Sequence, residues 1–597
     1  MKIINIKSII LSILVIFLAG CIEDKLPTSY ATADQIGGSE IALEAVANST
    51  AAFMYDYSYF GTASNQEFGY PAMMVMRDAM TDAPYVATRY NHFNTPWASL
   101  DDFTRSRAKQ PWRYYYRMIL NANNTILAVG DPDEHGKKIQ EFYGNALVYR
   151  ALSYMDLARM YEYKKTGVAQ LDNEAEANGV YGLTAVIIDE GFDPANVENN
   201  PRVPFYHMYR FIMDDLNKAE KYLEGYSRPS KIRADVSVVH ALKARLWLEM
   251  ATRFDKHPAD LQKQVENENN EEFENYDKLG ISTAKDCYVK AAEYAKKVID
   301  GPYFPLNKEQ WHSTTDGFNN MNSQSSWLFA ISISSMDAVH TRLNNLHGNA
   351  CTEYVRGYSR SQYHCYRMID KRLYDRVQDG DWRKVTWIDP ADQGKIPTPD
   401  KYYTTLGDLD ALNNDPIGTE WAMRDAYVGF KYRTNGGDVS EDYKKALQVD
   451  YPIIRVEEMY FIEAEAKAFT DGLSAGVNLL TSFMNTHRLE DGKVFSVDAD
   501  DVNDFVDQHL LPQKRIELWG EGHSYFDIKR RELAIERGYP GTNWLEPIRY
   551  NSVRAAGNVP SWLNFYVPNE GEASLNKAIV KNPNPLVYDV YDLWVGQ

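Results

Sequence analysis

The residues from Leu510 to Arg531 read LLPQKRIELWGEGHSYFDIKRR. A helix carrying Ile516, Leu518 and Trp519 is expected to stop at Gly520-Glu521-Gly522, because a glycine just past a helix supplies the left-handed cap without a Cβ penalty. An aromatic pair, Tyr525 and Phe526, then leads into Asp527-Ile528-Lys529-Arg530. Arg515, Glu517, Glu521, Asp527 and Arg530 supply enough charge to lock the turn with paired hydrogen bonds. The stretch reads as a structural clasp rather than a ligand site.

Composition sets the outer bounds. At ~100–200 residues per domain the chain is long enough for several domains. Its hydrophobic content of 44% supports a large core and argues against extensive disorder. A formal net charge of −19 argues against nucleic acid as a partner, since phosphate binding needs a basic footprint. The 42 Tyr beside 12 Trp are unusual, and many are expected to face solvent or a cleft, because a core struggles to satisfy so many phenol hydroxyls.

The first residues read as an address. Lys2 and Lys7 precede a short apolar run, Ile9–Phe17, and Leu18-Ala19-Gly20 lead to Cys21. The run is too short for a permanent membrane helix. It has the form of a bacterial lipoprotein signal over residues 1–20, with cleavage before Cys21 and a lipid on its thiol and amine. Residues 21–34, including Pro27, form a polar tether. With no other long apolar segment, the lipid is the only membrane anchor expected. The remaining cysteines are Cys287, Cys351 and Cys365; no CxxC pair occurs, which excludes a zinc ribbon or a thioredoxin motif. Cys287 reads as a small buried hydrophobe. Whether Cys351 and Cys365 pair is left open by their spacing.

From Ser39 onward the dominant signal is helical. In Phe205–Leu223 the apolar positions Phe205, Met208, Ile212, Leu216, Ala219 and Leu223 step by three or four. Helices are expected in pairs: Asn145–Tyr161 with Phe205–Leu223, Val238–Ala251 with Tyr288–Asp300, and Ile454–Phe469 with Gly476–Thr486. A first pair is assembled from the Ser39 and Trp112 helices. Ala146, Ala151, Ala241, Ala244, Ala464 and Ala466 let helices approach closely. The expected fold is mainly α, a tetratricopeptide-like helical-repeat scaffold with long loop-rich insertions and a few short strands. Residues 35–597 are read as a single domain, with scaffold at about 35–60, 111–300 and 451–535. Loop regions at about 61–110 and 301–450 lack the helical period. Ser326–Ile333 and Tyr427–Tyr432 are the strand candidates, Trp327 and Trp112 are expected in the core, and Asp498–Asp501 is expected to cap a helix.

The clasp, the lipoprotein signal, the paired helices and Tyr451-Pro452-Ile453-Ile454-Arg455 leading into Glu463-Ala464-Glu465-Ala466 occur in an order that resembles the SusD/RagB family. Ser524 departs from it, standing where many members carry Arg. Glu23 and Asp24 resemble the surface-export tag of the Bacteroides-like bacteria in which that family occurs. The resemblance implies an outer-membrane lipoprotein facing the cell exterior that captures an oligo- or polysaccharide without cleaving it. It implies delivery to a SusC-like TonB-dependent transporter, with the two loop regions presenting the ligand. It implies no cofactor.

A sugar offers a C–H face to an aromatic ring and hydroxyls to polar groups, so a glycan site wants exposed Trp or Tyr beside Asn, Asp and Arg. Arg77, Asp78, Asp82, Tyr85, Arg89, Tyr90, Asn94 and Trp97 supply that mixture in one loop. Trp311, with His312, Asp316, Asn319 and Asn320, starts a second cluster, and Arg342, Asn345, His347, Tyr354, Tyr358 and Tyr363 make a third. Trp97 and Trp311 are the expected platforms. Neither an HExxH zinc helix nor a GxxxxGK[ST] phosphate loop occurs, and Asp498–Asp501 lacks the spacing of a calcium loop; no catalytic residue and no metal are assigned. Peptide cargo of the RagB type, an α-helical glycosidase with paired carboxylates and a protein-interaction scaffold are the alternatives.

Overall fold

The long helices begin where a short polar side chain precedes an apolar period. Ser39 opens α1 (Glu40–Phe53) by accepting the Ala42 N–H at 3.3 Å. Then come α2 (Gly69–Ala79), α3 (Lys109–Val129), α4 (Lys137–Tyr161) and α5 (Phe205–Leu223). Asp235 caps α6 (Val236–Lys256), and a Thr283–Asp286 capping box opens α7 (Ala284–Ile299). After a long irregular region come α8 (Val456–Asp471), α9 (Leu473–His487), α10 (Leu511–Glu517) and α11 (Ser524–Arg531). The computed structural model describes residues 36–55, 69–86, 109–270, 276–333 except 314, 319 and 324, 367–403 except 396 and 397, 425–432, 449–552, 557–567, 572–585, 591–594 and 596.

Successive long helices pack on one another: α1 on α3, α3 on α4, α4 on α5, α6 on α7, α7 on α8 and α8 on α9. All four expected helix pairs are therefore in contact, and the alanines named for the crossings are buried. Gly144 shows how close the approach is: a Cβ there would lie 2.8 Å from Cγ of Leu223. Cys287 is fully buried on α7. The scaffold is mainly helical and tetratricopeptide-like. Strands among the described residues pair only in twos, all antiparallel: β1 (Pro84–Val86), β2 (Leu183–Val186), β3 (Arg202–Pro204), β4 (Trp327–Ile333), β5 (Arg367–Ile369), β6 (Val449–Arg455), β7 (Tyr550–Ser552) and β8 (Tyr591–Leu593). β1 joins β5, β2 joins β3, β4 joins β6 and β7 joins β8. In the β4–β6 pair Trp327 sits opposite Arg455, and the chain enters α8 directly from there. Trp327 and Trp112 are core residues.

Three expectations change. Residues 61–110 are not all loop, since they contain α2, every residue of which is buried. A helix with no solvated face carries no amphipathic period to read. Tyr427–Tyr432 is not a strand: Val428, Gly429 and Tyr432 bridge singly to Met368, Trp387 and Phe318, and Tyr427 begins the segment at φ 72°. Three partners in three places make no ladder. Among the described residues the tyrosines are more buried than expected, and backbone carbonyls accept several of their hydroxyls: Tyr116 donates to Val186 at 2.7 Å, Tyr154 to Ile188 at 2.9 Å, and Tyr149 and Tyr525 to Ile232 and Leu563.

The clasp closes the C-terminal half. Asp501 caps the turn Val502–Asp504, and a π-helical segment, Phe505–Leu510, runs into α10. Pro512 has no N–H for the Gln508 carbonyl one turn back, and the Arg376 guanidinium donates to that carbonyl instead, at 3.0 Å. The α10 helix stops at Glu517, followed by Gly520 and Gly522 at φ 78° and 76°. A Cβ on Gly522 would lie 2.7 Å from Cα of Met74 on α2, so glycine is required there by contact as well as by conformation. The charges of the stretch are satisfied mostly from elsewhere. Glu517 accepts from Arg383 at 2.9 Å, Arg455 at 3.1 Å and Arg488 at 2.7 Å. Glu521 accepts from Lys431 at 2.6 Å and Arg455 at 2.9 Å, while Arg530 binds Glu465 on α8. Only Asp527 finds its partners nearby, in Lys514 and Arg530.

Burial pushes the Glu517 pKa up, but Arg488, Arg455 and Arg383 outweigh it and hold the carboxyl well below the usual range. A depressed folded pKa contributes stability above the unfolded value, and that stability is lost as pH falls through the folded one. Glu517→Ala removes one carboxylate partner from each of three buried guanidinium groups, leaving Asp381, Glu521 and Glu457 to them, and is expected to cost about 3–5 kcal/mol at neutral pH, read by urea denaturation. An unchanged midpoint would show that the clasp does not carry the fold.

Candidate functional site

The structure moves two expected ligand readers into the core. Arg77 on α2 is 2% exposed and donates to Asp156 at 2.7 Å. The Tyr70 and Tyr115 hydroxyls donate to the same carboxylate oxygen, each at 2.9 Å, and the Arg77 guanidinium lies over Phe526 at 4.8 Å. Arg77 thus ties α2 to α4 and α11. Trp311 is 1% exposed; its indole N–H donates to Thr386 Oγ1 at 2.9 Å and its ring meets Phe318 and Trp382 edge-on. It sits in a short helix, Lys308–His312, opened by an Asn307–Gln310 capping box. Lys308, Glu309 and Gln310 keep contact with solvent, while Trp311 and His312 at the end of the helix are buried. Asp82 is ion-paired with Arg515 of the clasp. Asp78 is buried and accepts the Gly522 N–H at 3.0 Å. The backbone of Tyr85 lies in β1 opposite Met368. Arg89, Asn94, Trp97, Asn345, Tyr354 and Tyr358, like Cys21, Cys351 and Cys365, lie outside the described residues.

Beside the Lys308–His312 helix opens a cleft of about 350 Å³. Its walls are Tyr374, Trp382, Tyr402 and Tyr403, and its rim carries Lys308, Asp379, Lys384, Asp389, Asp400, Lys401 and Glu490. The local fold comes from aspartates whose side chains accept an N–H two residues on. Asp370 starts the turn Lys371–Asp375, Asp381 the turn Trp382–Thr386, and Asp389, followed by Pro390, the turn Pro390–Asp392. Arg383, next to Trp382, binds Asp381 at 2.6 Å and Glu517 at 2.9 Å, so the clasp carboxylate holds the cleft wall.

Behind the cleft wall, the buried His312 places Nε2 3.0 Å from the Trp382 carbonyl and its ring stacks on Tyr403, with centroids 4.4 Å apart and planes 13° from parallel. The Tyr402 hydroxyl donates to Asp392 at 2.5 Å, and that of Tyr374 to Asp389 at 3.3 Å. Burial raises the Tyr402 phenol to about 12. Lys384 pairs with Asp379 at 2.7 Å and Lys308 with Glu490 at 3.2 Å. Aromatic faces next to paired donors and acceptors suit a flat ligand rich in hydroxyls. The sequence reading reached His312 but missed Tyr374, Trp382, Tyr402 and Tyr403. The available signal was the run of Asp caps, including the Asp389-Pro390 turn start, in a stretch dense with aromatics.

Two other cavities have different chemistry. One of about 210 Å³, between α3 and residues 186–200, is walled by Trp112, Tyr116, Leu120 and Phe192. The amides of Asn200 and Asn576 beside it are spent on the carbonyls of Ile187 and Asn200, which leaves it largely apolar. The other, of about 30 Å³, lies among the charges of the clasp and has room for little more than a water molecule. A GxSxG spacing occurs at Gly472–Gly476, but it joins α8 to α9, whereas a nucleophile elbow needs a strand before its helix. No cluster of three or more metal-ligating side chains occurs among the described residues.

Trp311→Ala is expected to lower stability by about 3–5 kcal/mol in thermal or urea unfolding, the cost of emptying an aromatic core site. Asp78 is expected to show itself through pH: burial raises its pKa to about 6 from an unfolded value of 3.8. The folded state then holds the proton more tightly, so this group lowers stability as pH rises from about 4 to 6. Asp78→Asn should flatten that part of the stability–pH curve and gain on the order of 1–3 kcal/mol at pH 7.

Residues 30–248 match a family model, SusD-like, described as starch-binding associating with outer membrane, and residues 398–584 match that of the SusD family. No curated protein matches the chain. Among solved structures, a SusD-like carbohydrate-binding protein from Bacteroides vulgatus is 20% identical, with 83% of this chain and 85% of that one covered and a TM-score of 0.57. A SusD superfamily protein from Bacteroides thetaiotaomicron is 17% identical, covering 91% and 99% at a TM-score of 0.58. A laminarin-binding SusD-like protein is 16% identical, covering 91% and 99% at 0.55. At these identities the solved structures establish the fold alone; the two family models, matching residues 30–248 and 398–584, show that the chain belongs to the SusD/RagB family.

Proposed function

We propose that the protein is a non-catalytic, cell-surface glycan-binding lipoprotein that captures oligo- or polysaccharide and passes it to a SusC-like TonB-dependent transporter. The observation that carries this reading is the cleft, where Tyr374, Trp382, Tyr402 and Tyr403 stand beside lysine–carboxylate pairs. The family description as starch-binding and the laminarin-binding structural neighbour support the same ligand class. A lipid on Cys21 anchors the chain to the outer membrane, facing the exterior; no helix among the described residues is long and apolar enough to cross a membrane. Residues 35–597 act as one unit in which the helices are the scaffold and the regions about 61–110 and 301–450 present ligand. The cleft belongs to the second region, and Arg89, Asn94, Trp97, Asn345, Tyr354 and Tyr358 add polar and aromatic contacts. Tethering beside the transporter makes weak binding useful through high effective concentration.

The protein starting after Cys21 is expected to be retarded in affinity electrophoresis by at least one polysaccharide of a plant, host and microbial panel. Trp97→Ala should weaken that retardation with no loss of melting temperature. No new reducing ends should accumulate on prolonged incubation. Retention of a peptide pool with no retardation by any polysaccharide would replace glycan by peptide as the cargo.

A further inference from the structure

Tyr403 has a backbone conformation that its side chain disfavours. Its φ is +54°, in the left-handed region where a non-glycine residue is strained and a bulky one is rare. Glycine would adopt it at no steric cost. The surrounding structure over-determines the position: Tyr402 is fixed to Asp392, and the Tyr403 ring is laid flat on the imidazole of His312, which is itself buried and bonded to the Trp382 carbonyl. Strain of this kind persists where a side chain is needed in one place, and it clusters at ligand sites. Among the aromatic walls of the cleft, Tyr374, Trp382 and Tyr402 are buried, while Tyr403 is partly exposed.

We propose that Tyr403 is the stacking platform of the cleft, an imidazole-backed ring that receives the C–H face of a pyranose, and that the glycan it receives is uncharged. This rests on the glycan-binding reading and adds to it the residue and the ligand class. The charge of the rim sets the class. Lys308, Lys384 and Lys401 are each paired with a carboxylate, of Glu490, Asp379 and Asp392. Asp389 and Asp400 add further negative charge beside them. Such a rim repels uronates and sulfates, while every lysine–carboxylate pair offers a donor and an acceptor to a hydroxyl.

The test uses the full chain after Cys21 in affinity electrophoresis and calorimetry against soluble starch, laminarin and polygalacturonate. Wild type should bind a neutral polysaccharide and not polygalacturonate. Tyr403→Ala should weaken that binding at least tenfold, and Tyr403→Phe should retain it within about threefold, because the ring rather than the hydroxyl stacks. Tyr403→Gly relieves the backbone, so it should melt above Tyr403→Ala and still bind poorly, a combination that a merely structural role does not produce. Wild-type affinity in Tyr403→Ala would overturn the platform while leaving glycan binding intact. Preference for polygalacturonate would overturn the uncharged class. Failure of wild type to bind any polysaccharide would overturn the glycan reading and this inference with it.

Discussion

The carboxylate of Glu517 accepts from the guanidinium groups of Arg383, Arg455 and Arg488 at 2.7–3.1 Å, and all four side chains are fully removed from water. None of these charges is tolerable there alone; each is compensated only if the other segments arrive in register. Arg383 brings the turn that carries Trp382, Arg455 the junction of β6 and α8, and Arg488 the end of α9. One anion thereby sets where the helical scaffold ends and where the irregular region begins. Glu521 extends the arrangement to Lys431, whose amine also donates to the carbonyls of Glu517 and Trp519.

That geometry explains why a loop-rich region can present a fixed cleft. Residues 371–403 have little regular structure, and their turns are started one at a time by Asp370, Asp381 and Asp389. Local caps define each turn but not their mutual placement. Placement comes from two long-range contacts, Arg383 to Glu517 and Trp311 beneath Trp382. The cleft is thus built outward from the core, and the strained Tyr403 is held by the Tyr402–Asp392 bond next to it and by its stack on His312.

The same logic recurs on the other side of the clasp. Asp156 on α4 gathers Arg77, Arg159, Tyr70 and Tyr115, and Phe526 of α11 lies against both guanidinium groups. Arg77 and Asp78 read as polar residues in an aromatic-rich loop; the structure uses them to hold α2 against the Gly520–Gly522 turn. Charged residues dense in a loop sequence therefore separated into core anchors and surface groups only through burial.

Helix positions, helix pairing and the family were legible in the chain itself. Periodicities such as Phe205–Leu223 and the alanines of α4, α6 and α8 are local patterns, and helices adjacent in sequence pack as neighbours. The cap at Asp501 and the strand at Trp327–Ile333 were legible for the same reason. Tertiary structure alone decided which polar and aromatic residues meet. Trp311 and His312 are adjacent in sequence and nearly opposite in role, one filling the core and the other lying under Tyr403, because a single helical step separates inside from cleft. Glu517 and its three arginines span more than 130 residues of chain, and no local period encodes such a meeting. Sequence determined the scaffold because its forces act between neighbours. The site was decided by buried charge and shape complementarity between distant segments, which exist only once the chain has folded.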